Sequence, residues 1–376
     1  MIFNLLQKVI HFVTLINISL VVIAIILLNC IILPIKLISF KVYNKIEGVF
    51  LVSLAKIIST WGTLYDLKGF RLGVDPTEII DVKSPSTKIL VICNHQTVFD
   101  STALYIGFLG KSCYKPASFW HKWHRFYANG IIQRLRSDFA IDSSFKKGDF
   151  VDYWAKHSKK SDRDRNVFLL FPEGAFKNDY AEKSNKYAKK NGLPQLTRTI
   201  WPRTRAFVDV VDKRNGFTHI VDCTLIYEDI DEIDKFLFLY PEQLTKKSIY
   251  GVSRVFEIIN DDKIDPINQD DQTVDDLNKI QSLETVEQSD CIYKVPQCKL
   301  NEFWLQQLWL SKESMLNSFY QDKDKFINKF KPHCYDRINL FFLTNFILVN
   351  IIYIPVGSTF IYLIYLSISK IFKILT

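Results

Sequence analysis

The chain has 376 residues, of which 48% are hydrophobic and 23% charged, and its formal net charge is +8. The 7 cysteines are scattered without a CxxC pair, which argues against a disulfide-stapled scaffold and against a zinc site. A basic chain can bind nucleic acid, but no recognised nucleic-acid module is present, so the charge favours anionic membrane surfaces and phosphate groups instead.

The N-terminal segment is predicted to anchor the chain in a membrane. No charged residue lies between Lys8 and Lys36, and roughly 20 apolar residues are enough to span a bilayer. A cleaved signal peptide is the alternative, but Ile31–Ile38 is mostly bulky and contains no small residue for cleavage. Lys36, Lys41 and Lys45 lie at or beyond the end of the span, against Lys8 before it. This bias predicts that the following domain faces the cytosol.

A second apolar piece, Val49–Trp61, carries a single lysine. It is predicted to be either a helix that lies flat in the headgroup layer or an ordinary core helix, since both need one broad apolar face. Together with the first span, it defines a membrane-associating region predicted over residues 1–62.

A histidine and an aspartate follow the first buried strand of the next region. The strand is predicted at Ile89–Cys93, and the motif Asn94-His95-Gln96-Thr97-Val98-Phe99-Asp100 comes directly after it. Positions five apart are rotated by roughly 140° in a regular helix, so His95 and Asp100 do not share a helix face. They can meet only if His95 lies in a turn and Asp100 in the first turns of the helix predicted at Phe99–Leu109. There Asp100 can orient the imidazole as a general base.

A glutamate and a glycine follow the next buried strand. The strand Val167–Leu170 leads into Phe171-Pro172-Glu173-Gly174. Glycine permits a sharp turn or the close approach of a ligand, and ligands of α/β sheets bind at the carboxyl ends of strands. Taken alone, Glu173 is more simply explained as a turn residue in solvent. Its position after the His95 motif favours a binding site.

The remaining elements predict an α/β fold. Further strands are predicted at Ile220–Tyr227, Lys235–Tyr240, Gly251–Ile258 and Cys291–Val295. The segment Asn260–Asp290 is rich in Asp, Asn and Gln and has no aromatic residue, so it is predicted to be a disordered surface insertion. A helix predicted at Glu302–Asp322 has apolar positions near helical spacing and should pack on the domain. Residues 63–330 are therefore predicted to form a mixed sheet flanked by helices.

The C-terminal region, residues 331–376, repeats the membrane signal. No charged residue lies between Arg337 and Lys370, and Pro355 and Gly357 interrupt this stretch. A kinked single span and a re-entrant hairpin both fit the pattern. Membrane helices are thus predicted at both ends of the chain.

The two motifs belong to a known pattern. NHQTVFD and FPEG resemble the first and third sequence blocks of the glycerolipid acyltransferase superfamily, which includes lysophosphatidate acyltransferase. Trp201-Pro202-Arg203-Thr204-Arg205-Ala206-Phe207 is similar to the fourth block of the eukaryotic branch that holds lysophosphatidate, lysocardiolipin and lysophosphatidylinositol acyltransferases. Tyr293-Lys294-Val295-Pro296 and the helix after it also look like that branch. Apart from the insertion, the resemblance runs from about Lys88 to Phe326.

The resemblance implies a membrane-bound enzyme that moves a fatty acyl group from acyl-CoA to the free hydroxyl of a lysophospholipid or lysophosphatidate. It implies that His95 and Asp100 are the catalytic pair, and that Asn94, Glu173 and Gly174 help to hold the acceptor. The hydroxyl would attack the thioester directly, so the reaction requires no protein nucleophile, metal or cofactor, with acyl-CoA as co-substrate. The family, together with the membrane anchoring, also implies the endoplasmic reticulum membrane.

The chain departs from the family pattern at several positions. Ser101 stands where this branch has a tryptophan, and Ala175 replaces a threonine. Ser143 takes the place of a second-block arginine that is thought to bind the acceptor phosphate. A phosphate needs positive charge more than one particular geometry, and Arg203 is the best candidate because it lies in a matching block. The alternatives are Arg134, Arg136, Lys146, Lys147 and Arg205.

Two other functions remain open from the sequence. A hydrolase or phosphatase could use the same histidine and aspartate with water as acceptor, although no GxSxG nucleophile elbow is evident. A membrane scaffold without activity is the other, supported by Ser101 and the altered second block. A metal site at His121 and His124 is not predicted, because no carboxylate or cysteine lies close by.

Overall fold

The chain divides into two compact units. The computed structural model describes residues 2–49, 68–107 except 83 and 85, 117–121, 128–158 except 143, 166–228, 247–259, 292–330, 333–334 and the isolated positions 355, 358, 359 and 362. The first unit comprises Met1–Asp66, Lys122–Asp138 and Asp336–Thr376, and the second comprises Leu67–His121 and Phe139–Tyr335. The domain boundaries expected at residues 62 and 330 stay a prediction.

The described part of the chain contains both helices and strands. The helices are α1 (Ile2–Ile38), α2 (Pro76–Ile79), α3 (Asp100–Gly107), α4 (Ala128–Leu135), α5 (Asp149–Ser158), α6 (Lys177–Lys190), α7 (Thr204–Val210), α8 (Glu302–Gln321) and α9 (Lys323–Phe330). The strands are β1 (Lys68–Gly73), β2 (Ile89–Cys93), β3 (Ala117–Ser118), β4 (Trp120–His121), β5 (Ala140–Ile141), β6 (Val167–Leu170), β7 (His219–Tyr227), β8 (Ser248–Ile259), β9 (Ile292–Pro296) and β10 (His333–Cys334).

The first unit is built on the long apolar helix α1. Its Ser19–Ile38 portion is long and apolar enough to cross a membrane, judged by length and composition. Lys36 Nζ, near the end of this portion, donates hydrogen bonds to the backbone oxygen of Leu135 (2.6 Å) and to Ser137 Oγ (2.7 Å). Leu135 is the last residue of α4, and lysine side chains commonly donate to the last carbonyl groups of a helix. The predicted N-terminal apolar helix is confirmed.

A mixed sheet forms the centre of the second unit. Its described strands follow the order β10-β1-β8-β7-β2-β6-β3, and β9 pairs with β8. Strand β2 is parallel to both β6 and β7, whereas β7 and β8 are antiparallel. Strands β2 and β6 are buried along their whole length, which accounts for their unbroken aliphatic sequences. The α/β class with a mixed sheet flanked by helices is confirmed.

Helix α8 packs on the sheet through large aromatic and aliphatic side chains. Leu305 and Trp309 are fully buried, and Trp304 stacks on Phe207 of α7 with ring centroids 5.6 Å apart. Burial of each such side chain contributes roughly 1.5–3 kcal/mol to folding. The helix predicted at Glu302–Asp322 is confirmed, and so are the strands that β7, β8 and β9 now occupy.

Several predicted segments lie outside the described residues. They are Val49–Trp61 after its first residue, the strand Lys235–Tyr240, the insertion 260–290, and the C-terminal apolar stretch apart from four isolated positions. Their predicted structures stay predictions.

Candidate active site

Strands β2, β6 and β7 are parallel neighbours, so their carboxyl ends lie at the same edge of the sheet. His95 lies in the turn after β2, and Asp100 is the first residue of α3. His95 Nδ1 is 3.0 Å from Asp100 Oδ2. The placement expected from their spacing, with one residue in a turn and the other at a helix start, is therefore confirmed. Their catalytic role stays a prediction.

The Asp100 carboxylate is held by a complete set of donors. Its Oδ2 accepts the backbone N–H groups of Gln96 (2.6 Å) and Thr97 (2.9 Å), and its Oδ1 accepts the hydroxyl of Tyr227 (2.5 Å). Burial, and then the charge of Asp100, raises the pKa of Tyr227 well above its ordinary value, so the phenol keeps its proton and donates it. Because Asp100 is itself fully buried, these bonds fix the carboxylate against the imidazole. Sequence inspection missed Tyr227.

Aromatic rings hold the plane of the imidazole. The His95 ring stacks on Phe171, with centroids 4.1 Å apart and planes 21° apart, and Phe176 lies 4.4 Å away at 50°. The His95 side chain is 18% exposed. With Nδ1 facing Asp100, the nitrogen that can take a proton from a substrate is Nε2, which has no hydrogen-bond partner among the described residues.

Asn94 supports the site and is not exposed to a ligand. Its Nδ2 donates to the backbone oxygen of Leu225 (3.0 Å), and its Oδ1 accepts the backbone N–H of Leu225 (2.8 Å). Asn94 is 0% exposed. An amide engaged at both ends by β7 fixes the His95 turn to the sheet. The structure thus gives Asn94 a structural contact, and the acceptor-binding role expected for it stays a prediction.

Glu173 lies under the His95 turn. Its Oε1 accepts the indole N–H of Trp309 (3.1 Å), and its carboxyl group also accepts the backbone N–H of His95. Burial raises the pKa of Glu173 well above its ordinary value, an effect larger than the lowering by these two hydrogen bonds. The explanation of Glu173 as a turn residue in solvent is wrong, because the residue is only 1% exposed.

Gly174 allows an arginine to lie across the same turn. It has a φ of +62°, and a Cβ added to it would lie 3.2 Å from Cδ of Arg203. The backbone N–H of Arg203 donates to the carbonyl of Pro172 (2.7 Å), and its guanidinium lies 5.4 Å from the ring centroid of Tyr180. Gly174 is therefore required twice, for a backbone conformation that suits glycine and for the space that Arg203 occupies.

A cavity of about 840 Å³ opens beside this turn. Lys183 Nζ lies 4.6 Å from the ring centroid of Tyr180, so Tyr180 contacts two cations at the cavity wall. His95 is not a lining residue, but Phe171 lines the cavity and stacks on His95. The basic residues of the lining are Lys147, Lys183, Arg203 and Arg205, and its carboxyl residues are Asp142, Glu173 and Glu302. Such a cavity suits a ligand that carries a phosphate.

The alternative phosphate-binding residues are not equivalent. Lys147 and Arg205 line the cavity, as stated above. Arg136 is only 2% exposed and belongs to the first unit, where its Nε lies 3.4 Å from both Glu47 and Asp138. A buried guanidinium between two carboxylates has its charge compensated, so the proposal of Arg136 as a phosphate contact is wrong. Ser143 lies outside the described residues.

Curated relatives of the chain are acyltransferases. The chain is 25% identical over 317 residues to acyl-CoA:lysophosphatidylglycerol acyltransferase 1 of Homo sapiens, a match that covers 77% of this chain and 74% of the relative. It is 25% identical over 236 residues to lysocardiolipin acyltransferase 1 of Danio rerio, covering 60% of this chain and 54% of the relative. It is also 30% identical over 162 residues to probable 1-acyl-sn-glycerol-3-phosphate acyltransferase 5 of Arabidopsis thaliana, covering 38% and 39%.

No family model matches the chain, and no solved structure matches it significantly. The relatives nevertheless confirm the resemblance to the glycerolipid acyltransferase superfamily that the sequence blocks indicated.

Proposed function

We propose that this chain, which resembles the glycerolipid acyltransferase superfamily over most of its length, transfers a fatty acyl group from acyl-CoA to the free hydroxyl of a lysophospholipid or lysophosphatidate. The observation that carries the proposal is the 3.0 Å contact between His95 Nδ1 and Asp100 Oδ2. This contact orients the imidazole beside a cavity that is lined by lysine and arginine side chains.

The imidazole acts first as a base and then as an acid. Asp100 holds the proton on Nδ1 of His95, which leaves the Nε2 lone pair for the acceptor hydroxyl. As the hydroxyl oxygen attacks the thioester carbon, its proton moves to Nε2. The C–S bond then breaks, an ester forms, and the departing CoA sulfur takes the proton from Nε2. The buried Asp100 stabilises the transient imidazolium between the two proton transfers.

The cavity holds the acceptor by its phosphate. Arg203 lies against Gly174, beside the turn that also carries Glu173. A guanidinium presents several N–H donors to phosphate oxygens at once. Lys183 adds a second positive charge at the same wall. Binding the phosphate here places the glycerol hydroxyl towards His95 through the Phe171 side of the cavity.

The bilayer supplies the substrates. Both the lysolipid and the acyl chain of the donor partition into lipid, and Ser19–Ile38 provides an apolar helix of sufficient length to anchor the enzyme beside them. We place the protein in the endoplasmic reticulum membrane. The concentration of lysines after the helix supports a cytosolic catalytic domain.

An activity matrix with purified protein tests the proposal. Wild type is assayed with several acyl-CoA donors against lysophosphatidate and a panel of lysophospholipids. His95→Ala should lower turnover by about 10²–10⁴-fold, the typical contribution of a general base. His219→Ala is the matched control, because His219 lies at the opposite end of β7 and bonds Thr218.

Each outcome has a defined meaning. An ester product that requires the lysolipid and disappears in His95→Ala supports the proposal. Near-normal turnover by His95→Ala overturns the role of the base. Free fatty acid released at the same rate without any lysolipid indicates the hydrolase, and acyl-CoA binding without turnover on any acceptor indicates the scaffold.

A further inference from the structure

Helix α8 carries a buried polar face that the sequence motifs do not include. Trp309 and Lys312 are 0% exposed and Glu313 is 7% exposed. Residues spaced by three and four positions lie on one side of a helix. Burying a lysine and a glutamate is costly unless each finds partners, so the partners of this face indicate what the helix does.

Trp309 supports the general base indirectly. Its indole N–H donates to Oε1 of Glu173 (3.1 Å), and the Glu173 carboxyl group accepts the backbone N–H of His95. The path from α8 to the imidazole turn therefore has one intermediate side chain. Removing the indole N–H leaves Glu173 with one donor fewer in a buried site, and the carboxyl group is then free to rotate away from His95.

Glu313 binds the loop that leads to Arg203. Its Oε1 accepts the backbone N–H (2.5 Å) and hydroxyl (2.8 Å) of Thr197 and the N–H of Arg198 (2.8 Å). Its Oε2 accepts the N–H (2.9 Å) and hydroxyl (3.0 Å) of Thr199. Three consecutive N–H groups, four to six residues before Arg203, thus converge on one carboxylate, and the shape of this loop depends on it.

Lys312 holds the strand to which the catalytic turn is attached. Its Nζ donates to the backbone oxygen of Cys223 (2.5 Å) and to Thr224 Oγ1 (3.2 Å), and it lies 2.5 Å from Asp222 Oδ1. The next residues of β7 include Leu225 and Tyr227, the partners of Asn94 and Asp100. One face of α8 therefore contacts the turn that carries Glu173, the loop before Arg203 and strand β7.

We propose that α8 is a positioning element with two separable tasks: Trp309 fixes the general base through Glu173, and Glu313 fixes the acceptor-binding arginine through the loop 197–203. The inference rests on the proposed acyl transfer. It differs from a purely structural role because the two residues should affect different kinetic constants.

Trp309→Phe tests the first task. It keeps an aromatic ring but removes the donor to Glu173 together with part of the indole volume. We expect kcat to fall by about 10- to 100-fold while KM for the acceptor changes by less than about threefold. Trp304→Phe is the matched control, since it makes the same change on the same helix at a ring that stacks on Phe207. The control should keep both constants.

Glu313→Gln tests the second task. The substitution keeps the shape and removes the charge. The NH2 group that replaces one carboxylate oxygen cannot accept the N–H groups that this oxygen accepted. KM for a phosphate-bearing acceptor should rise by about tenfold or more, with kcat within about threefold of wild type. Thermal unfolding of all three variants is measured in parallel. If Trp309→Phe and Glu313→Gln each change kcat and KM together, the two tasks are not separable. If their kinetic constants equal those of Trp304→Phe, neither residue has a positioning task.

Chemical modification of His95 and Arg203 tests the two positioning roles without an enzyme assay. Diethylpyrocarbonate modification of His95, followed by peptide mass spectrometry, should speed up in Trp309→Phe and not in Trp304→Phe. Protection of Arg203 from phenylglyoxal by inorganic phosphate should weaken in Glu313→Gln. If wild type transfers no acyl group to any acceptor, the proposed function fails, while unchanged modification rates in the variants overturn the positioning roles.

Discussion

Tyr227 donates a hydrogen bond of 2.5 Å to Oδ1 of Asp100, the carboxylate oxygen that does not face His95. The two residues are 127 positions apart in the chain, Tyr227 at the end of β7 and Asp100 at the start of α3. The phenol completes the set of donors around a fully buried carboxylate. Tyr227 is therefore the third member of the site, after the histidine and the aspartate.

Replacing Tyr227 by phenylalanine should weaken the orientation of Asp100 against His95 without abolishing it. Loss of one hydrogen bond to a buried carboxylate should lower the free energy of unfolding by about 1–3 kcal/mol. Asp100 keeps its backbone donors, so kcat should fall by only about tenfold. Tyr250→Phe, at a buried tyrosine that stacks on Phe70, is the control. Equal kinetics in the two variants, measured by acyl-CoA turnover, would show that Tyr227 has no role in orienting Asp100.

Replacing Glu173 by glutamine should be tolerated better than replacing it by alanine. The raised pKa of Glu173 means that its carboxyl group binds a proton more readily in the folded protein, where a neutral amide is a close substitute. The glutamine oxygen can still accept the bond from Trp309, while its NH2 group takes the place of the other carboxyl oxygen. We expect Glu173→Gln to keep turnover within about tenfold of wild type and Glu173→Ala to lose far more. The reverse order in kcat would mean that the negative charge itself is needed.

The same residue predicts a pH dependence of stability. Its pKa in the folded protein is raised, so above the unfolded value of about 4.3 the native state binds more protons than the unfolded state. Stability from this group therefore falls as pH rises towards the native pKa. Glutamine does not titrate, so Glu173→Gln should gain stability relative to wild type as pH rises above the unfolded value. Urea denaturation checks this, with the exposed Glu182→Gln as control. Parallel curves for wild type and Glu173→Gln would contradict it.

Gly174→Ala should displace Arg203. The new methyl group would lie 3.2 Å from Arg203 Cδ and 3.4 Å from its Nε. A positive φ alone destabilises a non-glycine residue by roughly 1–2 kcal/mol. Gly192→Ala separates the two effects, because Gly192 has a φ of +66° and nothing within 4 Å of an added Cβ. Both variants should lose stability, but only Gly174→Ala should raise KM for the acceptor, by about tenfold. Equal KM values would remove Arg203 from acceptor binding.

Lys183 should help to bind an anionic headgroup. It lines the cavity and shares the ring of Tyr180 with Arg203. Lys183→Glu reverses the charge at this wall, so KM for lysophosphatidate should rise by about tenfold, and the effect should shrink at high salt. Lys190→Glu makes the same change at the end of α6, away from the lining residues. An equal effect of both variants would indicate general membrane attraction instead.

Much of the sheet edge followed from local sequence. Ile89–Cys93 and Val167–Leu170 are buried parallel strands, and such strands require unbroken aliphatic runs that are visible without a structure. The five-residue spacing of His95 and Asp100 fits only a turn followed by a helix start, and the structure has that arrangement. The apolar N-terminal helix was equally predictable from the sequence, because its length and its lack of charge suffice to indicate it.

The partners of the site were not predictable in this way. Tyr227, Trp309 and Glu313 are ordinary residue types within a strand and a helix, and no local period distinguishes them from other core or surface positions. The sequence leaves Arg136 among the possible phosphate contacts, because its carboxylate partners Glu47 and Asp138 are not evident without the structure. Glu173 was as consistent with a solvent turn as with a site, because burial depends on what packs over a residue.

The sequence by itself determined the two buried strands before the motifs, the turn and the histidine–aspartate pair, since these depend on residues close together in the chain. Only the tertiary structure decided that Glu173 lies beneath the imidazole, that α8 supports it, and that Arg203 crosses Gly174 at the cavity. The physical reason is distance along the chain: Trp309 and Glu173 are 136 residues apart, and only the packing of α8 on the sheet brings them into hydrogen-bonding range.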